Sequence, residues 1–329
     1  MAAIGYTLSS EEFGPRELVG FARRAEEVGF DFLSISDHFH PWVDRQGSSP
    51  FVWAVIGGLA EATERIEVTT GVTCPTTRIH PAIVAQAAAT AAVMLPGRFS
   101  LGVGSGENLN EHILGDPWPE TAVRQECLEE AIEVIRKLWR GGLQSHRGRH
   151  YTVQNARLYT LPEEPPPILV AGAGPKATAL AGRVGDGFFG LVPDREVVQV
   201  FEDAGGEGKP SYGQVHVCWA ADEAAAKRTA LAWWPNAVVS GALNWELPLP
   251  SMFEDASSWA SEDDVAEAVV CGPDPERIVD AIREFVDAGY DHVYFHQVGP
   301  DQEGFLDFAA EELLPRLADA QAAAGRTGG

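Results

Sequence analysis

Lysine is nearly absent from this chain. Lys137, Lys176, Lys209 and Lys227 are the only four among 329 residues, and 24 basic groups face 48 acidic ones, a formal charge of −24. Nucleic acid and anionic membrane surfaces both demand basic patches, so neither is expected as a partner. Cysteine is sparse too. Cys74, Cys127, Cys218 and Cys271 lie far apart with no C-x-x-C pair, which indicates neither a zinc site nor a disulfide framework and leaves reduced thiols of a cytosolic protein as the simplest reading. No metal is expected. No apolar run reaches the roughly 18 residues of a membrane span. Met1 to Leu8 lacks the basic and long apolar regions of a signal peptide, so a cytoplasmic location is expected. An acidic, lysine-poor, alanine-rich composition fits a high-salt cytoplasm, where repulsion among carboxylates is screened, and equally a GC-rich genome.

Hydrophobic residues make up 45% of the chain, enough for a sizeable core, and the length suits two average domains or one large α/β barrel. Strand and helix patterns alternate from the start. Ile4 to Leu8 reads as a strand. Ser9, Ser10 and Pro15 introduce a helix to Val28, with Leu18, Phe21, Ala22 and Ala25 at helical spacing and Gly29 as its stop. Further strands are expected at 32–35, 66–73, 99–104, 167–171, 187–192, 213–220 and 291–296, and helices at 51–63, 81–94, 121–139, 176–184, 221–234, 275–288 and 305–317. Two stretches break the rhythm: 141–167, with a Gly-Gly pair and a Pro-rich run, reads as a hairpin excursion, and 235–263 as a second one carrying Trp245 and Trp259. The tail from Ala318 is expected to fray. About eight strand–helix repeats close a (β/α)8 TIM barrel, here a single α/β domain over 1–329 with two insertion segments. A doubly wound open sheet is the alternative, but no G-x-G-x-x-G follows the first strand.

Several strand ends carry unusual chemistry. The first runs into Glu11; the second into Asp37, His38, His40 and Trp42; the third through Gly71-Val72; the fourth into Gly106, Glu107 and Asn110; the fifth into Gly172 to Lys176; the last into His296. Each has a bland reading: an Asp-His pair often caps a helix beside a surface histidine, and a Gly-Pro turn often simply starts one. In a barrel, however, all would converge on the face formed by the C-terminal strand ends, where catalytic groups sit. The Gly172-Ala-Gly-Pro-Lys176 turn is an anion-site candidate, because a helix N-terminus offers free N–H groups and a positive dipole end.

Ser36-Asp-His-Phe-His-Pro-Trp42, Thr70 to Arg78 with His80-Pro81, Leu101 to Glu111, and Ala173-Gly-Pro175 with Gly185-Asp-Gly187 resemble the bacterial-luciferase-like oxidoreductases. Within them the chain is similar to the branch related to F420-dependent glucose-6-phosphate dehydrogenase. The resemblance covers Ile4 to Leu317. It implies a TIM barrel that binds the deazaflavin coenzyme F420 at the strand C-termini, and a homodimer. It implies a non-prolyl cis peptide at Gly71–Val72 behind the deazaflavin ring, His38 as active-site base, Trp42 over the reacting centre, and Glu107 as the acid near the ring's N1 side. Asp37, Gly106 and Asn110 match cofactor contacts, and Ala173, Gly174, Pro175 and Lys176 the helix-start turn that holds the cofactor phosphate. Glu11, His40, Trp245 and His296 are candidates for the substrate pocket.

F420 carries hydride at one carbon, so the protein must place a substrate carbon against it and manage one proton. The resemblance breaks where a sugar phosphate would be held. Two lysines and an arginine are expected there, yet the corresponding stretches read Val192-Pro-Asp194-Arg195, Ala266-Glu267-Ala268 and Asp301-Gln-Glu303-Gly304. The expectation is therefore hydride transfer to or from an uncharged alcohol or carbonyl substrate, a small molecule. An FMN-dependent monooxygenase and a non-catalytic F420-binding barrel are the alternatives.

Overall fold

The computed structural model describes residues 2–327, with side chains described to residue 320. Strand β1 (Ala3–Leu8) leads to α1 (Pro15–Val28), β2 (Phe32–Ile35), α2 (Val52–Ala62), β3 (Glu67–Thr70), α3 (Pro81–Met94) and β4 (Phe99–Val103). A short α4 (Asn108–Glu111) precedes α5 (Thr121–Trp139), and β5 (Gln144–Arg147) and β6 (Thr152–Ala156) form the first excursion as an antiparallel hairpin. Then come β7 (Ile168–Ala171), α6 (Pro175–Val184), β8 (Gly187–Gly190), α7 (Arg195–Phe201), β9 (Ser211–Cys218) and α8 (Glu223–Trp233). Short helices α9 (Leu243–Glu246), α10 (Pro250–Ser257) and α11 (Glu262–Ala266) build the second excursion. The chain ends through β10 (Val270–Cys271), α12 (Pro275–Ala288), β11 (His292–Gln297), α13 (Gln302–Phe308) and α14 (Leu314–Thr327).

The sheet closes on itself. Parallel pairings run β1–β2–β3–β4–β7–β8–β9–β11 and back to β1, the eight-stranded barrel expected from the alternation. β10 adds a two-residue parallel pairing to the end of β9, Val270 opposite Val217 and Cys271 opposite Cys218. Helices wrap the outside. α1 shows the logic: Leu18, Ala22 and Ala25 recur at helical spacing and are buried, Pro15 starts the helix, and Gly29 ends it with φ 105° in the left-handed region. Truncating a buried leucine on such a face costs about 2–5 kcal/mol.

The barrel interior is layered. At the N-terminal end Phe32, Leu169, Phe189, Tyr212 and Tyr294 fill it as an aromatic plug, with Phe189 and Tyr212 centroids 5.0 Å apart. Strand alternation puts every second residue on the same face. Above Phe32 this gives Ser34 and Ser36, above Tyr212 it gives Gln214 and His216, and above Tyr294 it gives His296. The interior is therefore apolar and filled at one end, polar at the other. That polar end is the C-terminal mouth.

Several expectations need correction. The third strand stops at Thr70 rather than Thr73, because the chain turns through a cis Gly71–Val72 bond; Thr73 alone returns, as a bridge to Val103. The strand expected to reach Val192 stops at Gly190: the Val192 carbonyl accepts from the Tyr290 hydroxyl instead of a neighbouring strand. Asp194 then caps α7 by accepting from the Glu196 N–H, a helix the sequence pattern misses, and one π-helical segment, Glu202–Gly206, follows it. The first helix spans Pro15–Val28 as expected, with Gly14 as its N-cap. The terminal helix runs from Gln302 to Thr327, through a π-helical segment at Ala309–Leu313, so the tail is helical where fraying is expected; residues 328 and 329 lie outside the described residues. Among the described residues, no helix is long and apolar enough to cross a membrane, and no cluster of His, Cys, Asp and Glu could hold a metal ion.

Candidate functional site

β2 delivers His38 to the mouth as the loop after it leaves the sheet. The His38 Nδ1 lies 3.1 Å from the His40 carbonyl. A carbonyl only accepts, so Nδ1 carries the hydrogen and Nε2 is the nitrogen left to exchange protons. Nε2 stands between two carboxyl groups, 3.3 Å from Glu11 Oε1 and 3.5 Å from Glu107 Oε2. The Trp42 ring covers the imidazole at 5.0 Å and is itself packed edge-on by Phe253 of α10 at 5.2 Å.

The two acids differ. Burial alone would raise the Glu11 pKa, but His38 and a 2.6 Å hydrogen bond from the Ser36 hydroxyl outweigh it, and Glu11 ends below the usual carboxylate range. Glu107 moves the other way. Burial raises it, His38 opposes that, and the neighbouring Glu11 charge adds to the rise, so Glu107 holds its proton to higher pH than an ordinary carboxyl. An imidazole flanked by one acid of lowered pKa and one of raised pKa is a place where a proton can be parked and moved.

A frame of polar contacts holds these groups. Asn110 accepts from the N–H groups of Phe39 and His40, at 2.8 and 3.2 Å, and donates to Glu107 Oε2 at 3.1 Å. Arg78 joins two buried acids, with Nη2 2.9 Å from Asp37 Oδ1 and Nε 3.5 Å from Glu111 Oε1. Asp37 also accepts from the Thr73 hydroxyl at 2.7 Å. Glu111 takes the Arg78 N–H at 2.7 Å, and its pKa is raised mainly by burial. Beneath, a side chain on Gly71 would strike the Ser34 hydroxyl, which would have to rotate away to admit it, so glycine lets the β3 turn pass close to β2 with Ser34 in place. Gly106 has φ 90°, in the region that favours glycine.

Other candidates sit around this centre. His40 Nδ1 bonds the Leu109 carbonyl at 2.8 Å and its ring stacks on His112. Trp245 lies on α9, which is tied to α4 by Asn108 donating to the Glu246 carbonyl at 2.8 Å and to α5 by Arg124 and Glu246 at 3.1 Å. Gly174 caps α6 with no side-chain hydrogen bond, Pro175 opens the helix, and Ala173 and Lys176 are exposed. Lys176, Trp118, Gln125 and Glu246 line an open pocket of about 470 Å³ beside α5. In the first turn of α6 the buried Thr178 Oγ1 has no partner.

His296 is buried with both ring nitrogens occupied, Nε2 3.3 Å from Glu12 Oε2 and Nδ1 3.0 Å from His216 Nδ1. Sequence reasoning overlooks Glu12 and His216. The signal was present: counting by twos from Tyr212 places His216 on the inward face at the end of its strand. The two acid-bearing stretches that replace the expected phosphate cations and have described contacts do not point here. Arg195 pairs with Glu202 at 2.8 Å and would lie against a side chain on Gly289, at the opposite end of α12 from its start; Glu303 faces Arg24 of α1 at 3.9 Å. Asp194 and Asp301 are helix caps, and Glu267 is exposed.

Comparison with known proteins gives a consistent answer. A family model described as luciferase-like monooxygenase matches residues 1–292. An F420-dependent glucose-6-phosphate dehydrogenase of Microbacterium testaceum (strain StLB037) is 37% identical over 325 residues, covering 95% of this chain and 96% of the relative. A protein of the same name from Amycolatopsis mediterranei (strain U-32) is 37% identical over 330 residues, covering 96% and 99%. Among solved structures, an F420-dependent secondary alcohol dehydrogenase in complex with an F420–acetone adduct matches with a TM-score of 0.89 at 30% identity, over 96% of this chain and 99% of that one. The chain belongs to the luciferase-like monooxygenase family.

Proposed function

Starting from that membership, we propose that the chain is an F420-dependent oxidoreductase that moves hydride to or from an uncharged alcohol or carbonyl compound, with His38 as its proton carrier. The relatives' names supply the cofactor, and the residues suit it. The uncapped start of α6, the exposed Lys176 and the unpartnered Thr178 hydroxyl suit the cofactor's phosphate, since a helix N-terminus with spare donors stabilises an anion. The Gly71–Val72 turn supplies a side-chain-poor surface beside β4, with Val72 close to Gly104. When bound, F420 supplies the carbon that takes or gives the hydride.

The observation that carries the reading is His38 Nε2 between Glu11 and Glu107, with Nδ1 fixed on the His40 carbonyl. In oxidation, Nε2 takes the substrate hydroxyl proton; in reduction it returns one to the carbonyl oxygen. Ionised Glu11 stabilises the imidazolium that results. Glu107, whose pKa is raised mainly by burial, would serve as a donor toward the cofactor when it holds its proton. Trp42 shields the imidazole from bulk water. Asp37 and Asn110 hold the loop that carries His38, the first through Arg78 and Thr73, the second through backbone N–H groups.

The local charge supports an uncharged substrate. Among the described residues, Glu11, Glu12 and Glu107 have only histidines at ion-pair distance, and Arg78 is already shared by two acids. A phosphate dianion stripped of water needs clustered cations. Steady-state kinetics with F420 tests this: a panel of neutral alcohols and ketones should contain substrates, and glucose 6-phosphate should show negligible turnover. Saturation by glucose 6-phosphate would overturn the charge argument. Loading the chain with FMN or with F420 and recording absorbance separates this reading from oxygen activation by a flavin.

A further inference from the structure

The second histidine cluster of the mouth has no part in the proton transfer above, and its hydrogen bonding is determined by simple rules. Glu12 Oε1 accepts the Gly299 N–H at 2.9 Å, and its Oε2 faces His296 Nε2 at 3.3 Å. A carboxylate has nothing to donate, so His296 carries its hydrogen on Nε2 and leaves Nδ1 as an acceptor. His216 Nδ1 is 3.0 Å from that nitrogen, and two lone pairs cannot face each other at this distance. His216 therefore carries its hydrogen on Nδ1. Its Nε2 is left with a lone pair and no partner among the described residues.

That nitrogen is not sealed in. His296 is 3% exposed, but His216 is only half-buried, and no buried, unpartnered atom of His216 is found among the described residues. The Trp234 ring closes the outer side, edge-on to His296 at 4.4 Å and tilted over His216 at 5.8 Å. Burial and the neighbouring His296 push the His216 pKa down to about 3, so the ring stays neutral across the working pH range. Glu12 adjoins Glu11 in sequence, His296 lowers the Glu11 pKa, and Trp42 packs against the cluster that contains Trp234. The two histidine centres are thus neighbours at the barrel mouth.

We infer that His216 Nε2 accepts a hydrogen bond from a second hydroxyl of the substrate, so that the enzyme takes neutral, polyhydroxylated alcohols or the matching hydroxyketones in preference to monohydric alcohols. This rests on the hydride-transfer reading, in which the first hydroxyl meets His38. A site built around a fixed acceptor rejects an analogue lacking the donor, because its polar group is then stripped of water unpaired. His296 and Glu12 are positioning residues here; they set the tautomer of His216 and do not meet the substrate.

The test compares 1,2-propanediol with 2-propanol on the F420-loaded enzyme. The wild type should favour the diol. In His216→Phe the diol-to-monoalcohol ratio of kcat/KM should fall roughly tenfold, mainly through KM for the diol, and His216→Gln, which keeps an acceptor, should recover part of it. An equal ratio in the wild type and His216→Phe, each with normal F420 affinity, overturns the assignment. If the wild type binds F420 yet oxidises neither alcohol, the hydride-transfer reading has failed, and a second readout decides this one. In chain labelled with 15N-histidine, 1,2-propanediol should shift the unprotonated Nε2 resonance of His216, and 2-propanol, which has no second hydroxyl, should leave it in place. A His216 resonance unmoved at saturating diol overturns the proposal whatever the turnover.

Discussion

Two histidine centres stand at the same mouth, served by adjacent acids of one turn. Glu11 faces His38 and Glu12 faces His296. Their surroundings differ in one respect that decides their chemistry. His38 meets its partners through the nitrogen that can change protonation, between one acid whose pKa is lowered and one whose pKa is raised. The His296–His216 pair is locked nitrogen to nitrogen, and burial together with the neighbouring His296 holds the His216 pKa down at about 3, so its free nitrogen stays an unprotonated lone pair. Residue type alone would treat the two centres alike. The first can cycle a proton; the second can only present a fixed lone pair.

The largest expected effect breaks the first centre. His38→Ala should lower turnover with a good alcohol substrate by roughly 10²–10⁴-fold while F420 affinity, followed by fluorescence titration, stays near wild type. Turnover within a factor of a few of wild type would show that the proton leaves by another route, and the contrast between the two centres would collapse.

The next effect is on stability, at the frame behind His38. Arg78 neutralises Asp37 and Glu111, whose side chains are 1% and 0% exposed. Arg78→Met leaves two buried carboxyl groups facing each other without a cation, a loss of about 3–5 kcal/mol by analogy with broken buried pairs. Urea denaturation at neutral pH checks this. A change under 1 kcal/mol would mean that the acids protonate or take up water at little cost. No comparable loss is expected from Arg24→Met, whose partners Glu27, Glu303 and Asp307 are largely exposed.

The architecture was legible in the sequence where periodicity was strong. The helices 121–139 and 275–288 are found at the expected bounds, because long amphipathic patterns are set by the chain's own spacing. The cis bond at Gly71–Val72 came from family resemblance, and the close approach of Ser34 explains why glycine stands there. What was illegible depended on partners distant in sequence. Leu191-Val192 reads as strand until Tyr290, 98 residues on, takes the Val192 carbonyl. Of the site, His38, Glu107 and Glu11 were visible as polar groups ending strands. Nothing local showed that Asn110 would carry the His38 loop, or that His216 would be oriented by a partner 80 residues away. Nor did the sequence reveal that Arg195 turns away from the mouth toward Gly289.

The smallest effect sharpens the first centre by separating its two acids, and its sign differs between them. Glu11 has a lowered pKa in the folded chain, so it contributes stability above the ordinary carboxylate pKa that is lost as pH falls through its folded value. Glu107 has a raised pKa. Its contribution is present below the ordinary carboxylate pKa and is lost as pH rises through its folded value, because the charge must then form in a buried site beside Glu11. Glu11→Gln should therefore lower stability at neutral pH and narrow its gap to wild type under acid. Glu107→Gln, which keeps a neutral donor near Asn110, should match wild type under acid and become relatively more stable as pH rises. Thermal unfolding of the three proteins across pH 3 to about 8 spans the range in which carboxylates titrate. Parallel curves for the two variants would mean that the acids are equivalent, and that His38 is flanked by two like charges rather than by one charge and one proton.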